Sequence, residues 1–144
     1  MTTSFSHSLT DGQAADKGQS VVELALLLPV LLLILLGALD LGRAFATYVA
    51  ITNGSREGAR YGASNPTDTT GIGNYVAQEI SGATASIACY KFGDNSPVAC
   101  ASVSTGDRIQ VTVTMPFNFL TLYLFRLPSI SMSNFTTMAI INGN

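Results

Sequence analysis

Three residues near the start of the chain could take part in chemistry: Gly18, Gln19 and the acid Glu23. Glu23 lies inside an otherwise apolar run, where a carboxylate is costly unless a partner neutralises it or it reaches the headgroup region. If the chain is cut after Gly18, the new α-amine of Gln19 carries a positive charge four residues before Glu23, on the same helical face. In a bundle of identical helices, the acid of one subunit can then neutralise the amine of the next. An ordinary signal anchor with its acid at the membrane interface is the alternative.

The second chemical feature is a pair of cysteines, Cys89 and Cys100, which flank a segment containing two turn signals. In a chain exported from the cytoplasm, two cysteines most simply form one disulfide. A metal site needs more ligands of this kind, and the only histidine, His7, precedes the proposed cut. We therefore predict a disulfide that closes a hairpin-like loop. The other interpretation is a loop whose tip touches a binding target.

Neither enzyme chemistry nor nucleic-acid binding finds support in the sequence. Once His7 is removed, the Ser-His and Cys-His arrangements of nucleophilic catalysis are impossible. No glycine-rich phosphate loop lies between a strand and a helix. Charged residues make up 11% of the chain and the net charge is −2, so the chain lacks the clustered basic face that nucleic acid requires. We expect a protein that is not an enzyme and has no cofactor and no metal.

The apolar run from Val21 to Leu39 is the element that positions Glu23. Its length approaches the roughly 20 residues that cross a bilayer as a helix. Pro29 lies within this run and lacks a backbone N–H, so we expect a kink or local loosening there. In a packed filament this site allows bending, whereas in a lone anchor it is simply tolerated. Where the chain leaves the apolar zone, Asp40 and Arg43 can pair on one helix face, and we expect this pair to be solvated.

The helix is predicted to continue to Ser64 as an amphipathic arm and to end before Asn65-Pro66. Three glycines recur in it at every fourth position: Gly54, Gly58 and Gly62. Such a stripe permits close approach of another helix or of the head domain. Each glycine also costs a helix about 0.5–1 kcal/mol relative to alanine, so the arm needs a packing partner. A break at Asn53-Gly54 is the competing interpretation.

Residues 65–144 are predicted to form a small head, which makes the fold class α+β. Its elements are a short helix and a three-stranded antiparallel sheet, over Ile72–Ser81, Thr84–Tyr90, Arg108–Met115 and Ser129–Ile140. Alternating apolar and polar residues in the middle strand indicate one buried face. Pro116 should stop the ladder, because it has no N–H to donate. The apolar segment Phe117–Leu127 then either covers the sheet, which we favour, or forms a surface for a neighbour or the membrane.

Taken together, these features resemble the type IV pilin class and, more narrowly, the TadE-like family, the pseudopilins of tight-adherence (Flp-type) pilus systems. The residues that carry the resemblance are a glycine before the mature start, an acid at the fifth mature position, a proline six residues later, a Gly-Arg pair and an arginine-containing segment: Gly18, Glu23, Pro29, Gly42-Arg43 and Arg56–Arg60. The resemblance extends to about residue 64, and the rest of the chain matches only in architecture.

The resemblance implies a pilin-like structural subunit, a minor pseudopilin that takes part in assembly of a tight-adherence type IV pilus. A prepilin peptidase would cleave after Gly18. The chain would then comprise a leader (1–18), a long helix (19–64) with a transmembrane half (21–39), and the head (65–144). The implied partners are other pilin-like subunits, the peptidase and, before assembly, the inner membrane. A principal filament-forming pilin and a membrane-anchored binding module that does not polymerise are the alternatives.

The resemblance also implies a location in the bacterial inner membrane as a precursor, with the head outside the cytoplasm, and later at the cell surface or in the pilus. The distribution of basic residues opposes this orientation. Lys17 precedes the span, whereas Arg43, Arg56 and Arg60 follow it, and basic residues favour the cytoplasmic side. The polar leader is the reason to override this count, because a conventional secretory signal has its apolar core ahead of the cleavage site.

Overall fold

The computed structural model describes residues 12–121 and 128–143, with side chains described from Gly18 onward. His7 and residues 122–127 of the predicted cover segment lie outside the described residues. Contacts divide the chain into two compact units, Met1–Leu39 and Asp40–Asn144. The first helix, α1 (Gly12–Ser64), contributes to both units and contains Pro29. It is continuous through Asn53-Gly54, so the alternative prediction of a break there is wrong.

In the first unit, α1 presents apolar side chains to its surroundings. Between Val21 and Leu39, the exposed large apolar side chains retain 44–71% of their accessible surface. Among the described residues, one helix, Gly18–Ser64, is long and apolar enough to cross a membrane. A helix that is apolar on every face must be covered by something outside itself.

The second unit combines the rest of α1 with a second helix and one antiparallel sheet. These elements are α2 (Thr69–Glu79), β1 (Thr84–Tyr90), β2 (Pro97–Val98), β3 (Arg108–Phe117) and β4 (Ile130–Ala139), with a single 3-10 turn at Cys100–Ser102. The strand order is β2-β1-β3-β4, and every neighbouring pair is antiparallel. The predicted α+β class is therefore confirmed.

The core of the second unit lies between the sheet and the two helices. β3 supplies its centre, because alternate residues of this strand are buried as its sequence pattern predicts. The most deeply buried large apolar residues come from both helices, from β3 and from the residue after β4: Ile51, Ile72, Val76, Ile109, Val111, Val113 and Ile140.

Side-chain and backbone caps set the ends of the two helices. The Asp68 carboxylate accepts the Gly71 N–H at 2.8 Å and the Tyr61 hydroxyl at 2.7 Å. These two donors hold the pKa of Asp68 below its ordinary value, and the cap starts α2 three residues before the predicted Ile72. At the end of α1, the Ala63 carbonyl accepts the Ile141 N–H at 2.9 Å. The C-terminal segment thereby satisfies a carbonyl that a helix end leaves without an intrahelical partner.

Two predictions about the sheet are wrong. The sheet has four strands where three were predicted, because Pro97–Val98 pairs with β1 as a two-residue strand too short to show any periodicity. Pro116 also lies within β3, opposite Ser131 of β4. β1 pairs with β3 only as far as Thr114. On that side of β3, the N–H that Pro116 lacks therefore costs no hydrogen bond to β1.

Candidate functional site

The predicted processing and assembly residues lie together in the first unit. The Gly18-Gln19 bond is inside α1, and the Gln19 Nε2 donates a hydrogen bond to Glu23 Oε1 at 3.2 Å. Both side chains are exposed. Residues four apart on a helix face each other, so a positive amine at position 19 would share this face with the carboxylate.

The glycine stripe of α1 packs against the head. All three glycines are buried, and a Cβ added at Gly58 would lie 2.8 Å from Val76 of α2 and 3.2 Å from Val111 of β3. At Gly62 it would lie 2.7 Å from Ile109. A Cβ at Gly54 would meet Ile80 at 3.5 Å, which is ordinary contact. The sequence left two packing partners possible for this stripe, another helix or the head domain. In the structure the head domain packs against it.

Asp40 is the buried acid of the second unit, with 2% of its surface exposed. Its carboxylate accepts the Leu120 N–H at 2.7 Å, the Thr121 N–H at 2.8 Å and the Thr121 hydroxyl. Arg43 pairs with it at 3.4 Å, as the spacing predicts. The expectation of a solvated pair is wrong for Asp40, because three of its donors come from a segment 80 or 81 positions away. Local sequence gave no signal of those donors.

Arg43 also contacts the segment that follows β3. Its Nη1 donates to the Asn118 carbonyl at 3.4 Å, and its Cζ lies 5.3 Å from the centre of the Phe117 ring. Half of the Arg43 side chain remains exposed. Asp40 and Arg43 together therefore tie the chain that follows β3 to the first turn of α1 in this unit.

Polar contacts also connect α1 to β4. The Ser55 and Thr136 hydroxyls lie 2.8 Å apart, and the Asn134 side-chain amide donates to Thr52 Oγ1 at 2.8 Å. Ser55 is fully buried. Buried hydroxyls that find partners specify one arrangement of helix and strand, so these contacts fix the register of α1 on the sheet.

The disulfide expected between Cys89 and Cys100 is present, with an S–S distance of 2.01 Å and a Cα–Cα distance of 5.3 Å. Cys89 is buried in β1, next to the two-residue strand β2. Arg108 binds the intervening loop, because its Nη1 donates to Asn95 Oδ1 at 2.7 Å. The bridge thus staples a hairpin-like loop; a binding role for its tip remains a hypothesis.

Asp107 organises the base of this loop, and its role was not predicted. The carboxylate accepts the backbone N–H groups of Ser104 and Phe92, each at 2.9 Å, and its side chain is buried. These two donors hold the pKa of Asp107 below its ordinary value of 3.8. The Asp107 carbonyl also accepts the Ile140 N–H at 2.7 Å. One residue therefore joins the disulfide loop, the turn before β3 and the end of β4.

The described part of the chain contains polar clefts and no cluster of three metal-ligand side chains. Within residues 12–121 and 128–143, no three His, Cys, Asp or Glu side chains are grouped as metal ligands would be. A polar cleft of about 220 Å³ lies beside Asp68 and Cys100. A second cleft of about the same volume lies beside Tyr90 and Arg108.

The sequence pattern of the TadE-like protein family matches residues 18–60. The N-terminal segment is TadE-like. This confirms the suspected resemblance, and the matched range includes Gly18, Glu23, Pro29 and the glycines at 54 and 58. The match covers 43 of the 144 residues and suggests an association with a tight-adherence pilus. No curated protein and no solved structure is significantly similar to the chain.

Proposed function

We propose that the protein is a minor pseudopilin that takes part in assembly of a tight-adherence type IV pilus. In this proposal, a prepilin peptidase removes residues 1–18 and leaves Gln19 as the new N-terminus. Residues 19–64 form the assembly helix, of which 21–39 cross the inner membrane before assembly, and residues 65–144 form the head outside the cytoplasm. The partners are other pilin-like subunits.

One observation carries the proposal: Gln19 and Glu23 share a helix face at the start of an exposed apolar run, inside the TadE-like segment. A carboxylate beside hydrocarbon is costly unless it is paired. The amine created by cleavage supplies a charge of the opposite sign next to Glu23. When subunits pack side by side, the acid of one and the amine of another fix their relative height.

The apolar run supplies the contact area for this packing. Before assembly its side chains face lipid. Replacing lipid contacts by protein contacts therefore stabilises the assembly less than burial from water would, and close packing of the helices becomes the main driving force. Pro29 lies inside the run and removes one helical hydrogen bond. We propose that this site lets the helix adapt its curvature within the bundle.

Two features of the head support its placement outside the cytoplasm and the minor role. Its disulfide is the kind of bond that persists in an oxidising compartment. The head also occupies a large part of the chain, whereas the principal Flp-type pilins have very little beyond the helix.

The first experiment measures the mass of the mature N-terminus and then replaces Glu23. We expect the native protein to begin at Gln19, and Glu23→Ala to abolish or greatly reduce surface filaments. Glu23→Gln keeps the size and loses the charge, so we expect it to be defective as well. Glu79→Ala, on the exposed face of α2, is the matched control and should assemble normally.

A native protein that still begins at Met1, or normal filaments from Glu23→Ala, would refute the proposal and favour a membrane-anchored module that does not polymerise. Mass spectrometry of sheared filaments separates the two filament roles. A principal subunit would dominate the recovered protein, whereas a minor pseudopilin is a small fraction of it.

A further inference from the structure

The segment that follows β3, Phe117–Thr121, is hydrogen-bonded to Asp40, the first residue of the second unit. Asp40 is the residue directly after Leu39, and its two carboxylate oxygens accept the backbone N–H groups of Leu120 and Thr121 at 2.7 and 2.8 Å. Hydrogen bonds of this length place Leu120 within a few ångströms of that turn of the helix. If the bilayer boundary lies at Asp40, Leu120 therefore lies close to that boundary.

Apolar side chains are exposed at this level on both elements. Leu120 is 44% exposed, and on α1 Leu41 and Phe45 are 70% and 71% exposed. At about 1.5 Å per residue, Phe45 lies only about 7 Å beyond Asp40 along the helix. The headgroup layer of one leaflet has a similar thickness, roughly 5–8 Å. Exposed apolar side chains of the second unit thus lie within about one headgroup layer of Asp40.

The polar groups at this level suit a membrane boundary. The buried Asp40 carboxylate has three donors from Leu120 and Thr121 as well as Arg43, and a carboxylate can remain near a medium of low polarity when it is hydrogen-bonded and paired in this way. The half-exposed Arg43 guanidinium lies beside it. A guanidinium with an exposed edge binds phosphate through paired N–H groups.

We propose that Phe117–Thr121 is a second membrane contact of the unassembled protein. Leu120 inserts at the headgroup boundary of the leaflet from which α1 emerges, and Arg43 binds a phospholipid phosphate. The partner is the lipid surface, and the contact fixes how closely the head is held to the membrane before assembly. This inference rests on the proposed function, in which α1 crosses the inner membrane with Asp40 at its edge.

The chain contains no tryptophan, so a single introduced tryptophan reports on one position. The full chain is reconstituted into vesicles of phosphatidylethanolamine and phosphatidylglycerol, with or without lipids brominated high in the acyl chain. We expect the emission of Leu120→Trp to be blue-shifted and to lose intensity with the brominated lipid. Asn118→Trp, at an exposed neighbouring position, provides a second reading if Leu120→Trp does not fold.

Phe92→Trp is the matched control within the head. Phe92 is 73% exposed and lies against Arg108, at the start of β3, whereas Leu120 follows the other end of that strand. Ten strand residues separate the two ends by roughly 30 Å. We expect Phe92→Trp to emit as a solvated tryptophan with no loss of intensity. Adding Asp40→Asn to Leu120→Trp should shift its emission toward that of Phe92→Trp.

Leu31→Trp, within the apolar run, separates this inference from the proposed function. If Leu31→Trp is quenched while Leu120→Trp and Asn118→Trp behave like Phe92→Trp, the second contact is refuted and the membrane helix stands. If none of these variants is quenched, both proposals fail. A blue-shifted Leu120→Trp that brominated lipid does not quench would show that protein, and not lipid, covers this position, and would also refute the inference.

Discussion

Residues 18–39 and residues 40–64 belong to one helix, yet their side chains have different surroundings. The first stretch exposes leucines and valines throughout. The second buries a face of small residues, including Gly58, Ala59 and Gly62, against α2 and the sheet. A helix can thus be stabilised by its own head along one part and still require lipid or other subunits along another. In this protein the second stretch keeps large exposed residues such as Leu41 and Phe45, and its glycines and alanines lie on the buried face.

The largest expected difference is between truncating a residue of the exposed first stretch and truncating a residue of the core against which the second stretch packs. Ile109 of β3 is fully buried, and Ile109→Ala should lower the free energy of unfolding of the head by about 2–5 kcal/mol, because it leaves a cavity. Leu31 is 58% exposed, and Leu31→Ala should change that free energy by no more than about 0.5 kcal/mol. Denaturant unfolding in detergent, followed by tyrosine circular dichroism, measures both. Equal destabilisation by the two variants would mean that the head and the apolar run are not independent.

A smaller difference is expected when a glycine in each stretch is enlarged. Gly58→Leu forces its side chain onto Val76 and Val111 and should destabilise the head by about 1–3 kcal/mol. Gly37→Leu meets no atom within 4 Å of its Cβ and should leave the head unchanged. The same unfolding measurement compares them. A stable Gly58→Leu head would show that α2 can move away from α1 at little cost.

The smallest expected effect is a pH dependence of the stability of the head. The folded-state pKa of Asp107 is lowered, so its contribution to stability is present above its ordinary value of 3.8 and is lost as the pH falls through the lower folded-state pKa. Asp107→Asn should therefore be less stable than the native protein at neutral pH, and the two should converge in acid. Thermal unfolding between pH 7 and pH 2 tests this, with Glu79→Gln as the exposed control. A stability difference that is constant with pH would contradict the assignment.

Features that depend on neighbouring residues were predictable from the sequence. The apolar run, the alternation of β3 and the end of α1 before Asn65-Pro66 each arise from residues close together in the chain. The disulfide followed from having only two cysteines. The donors of Asp40 and the contacts of Asp107 were not predictable, because they come from backbone groups whose positions only the folded chain sets. Backbone N–H groups are identical in every non-proline residue, so they leave no mark in a sequence.

The sequence by itself determined which parts of this protein need cover: the run from Val21 to Leu39, one face of β3 and the glycine stripe. Side-chain polarity and spacing fix these requirements locally. Only the tertiary structure decided what provides the cover within the second unit. It placed the glycines against α2 and β3, and it enclosed Asp40 with the segment after β3. Many partners can satisfy an apolar face or a carboxylate, and the choice among them depends on shape and hydrogen-bond geometry between residues far apart in the chain.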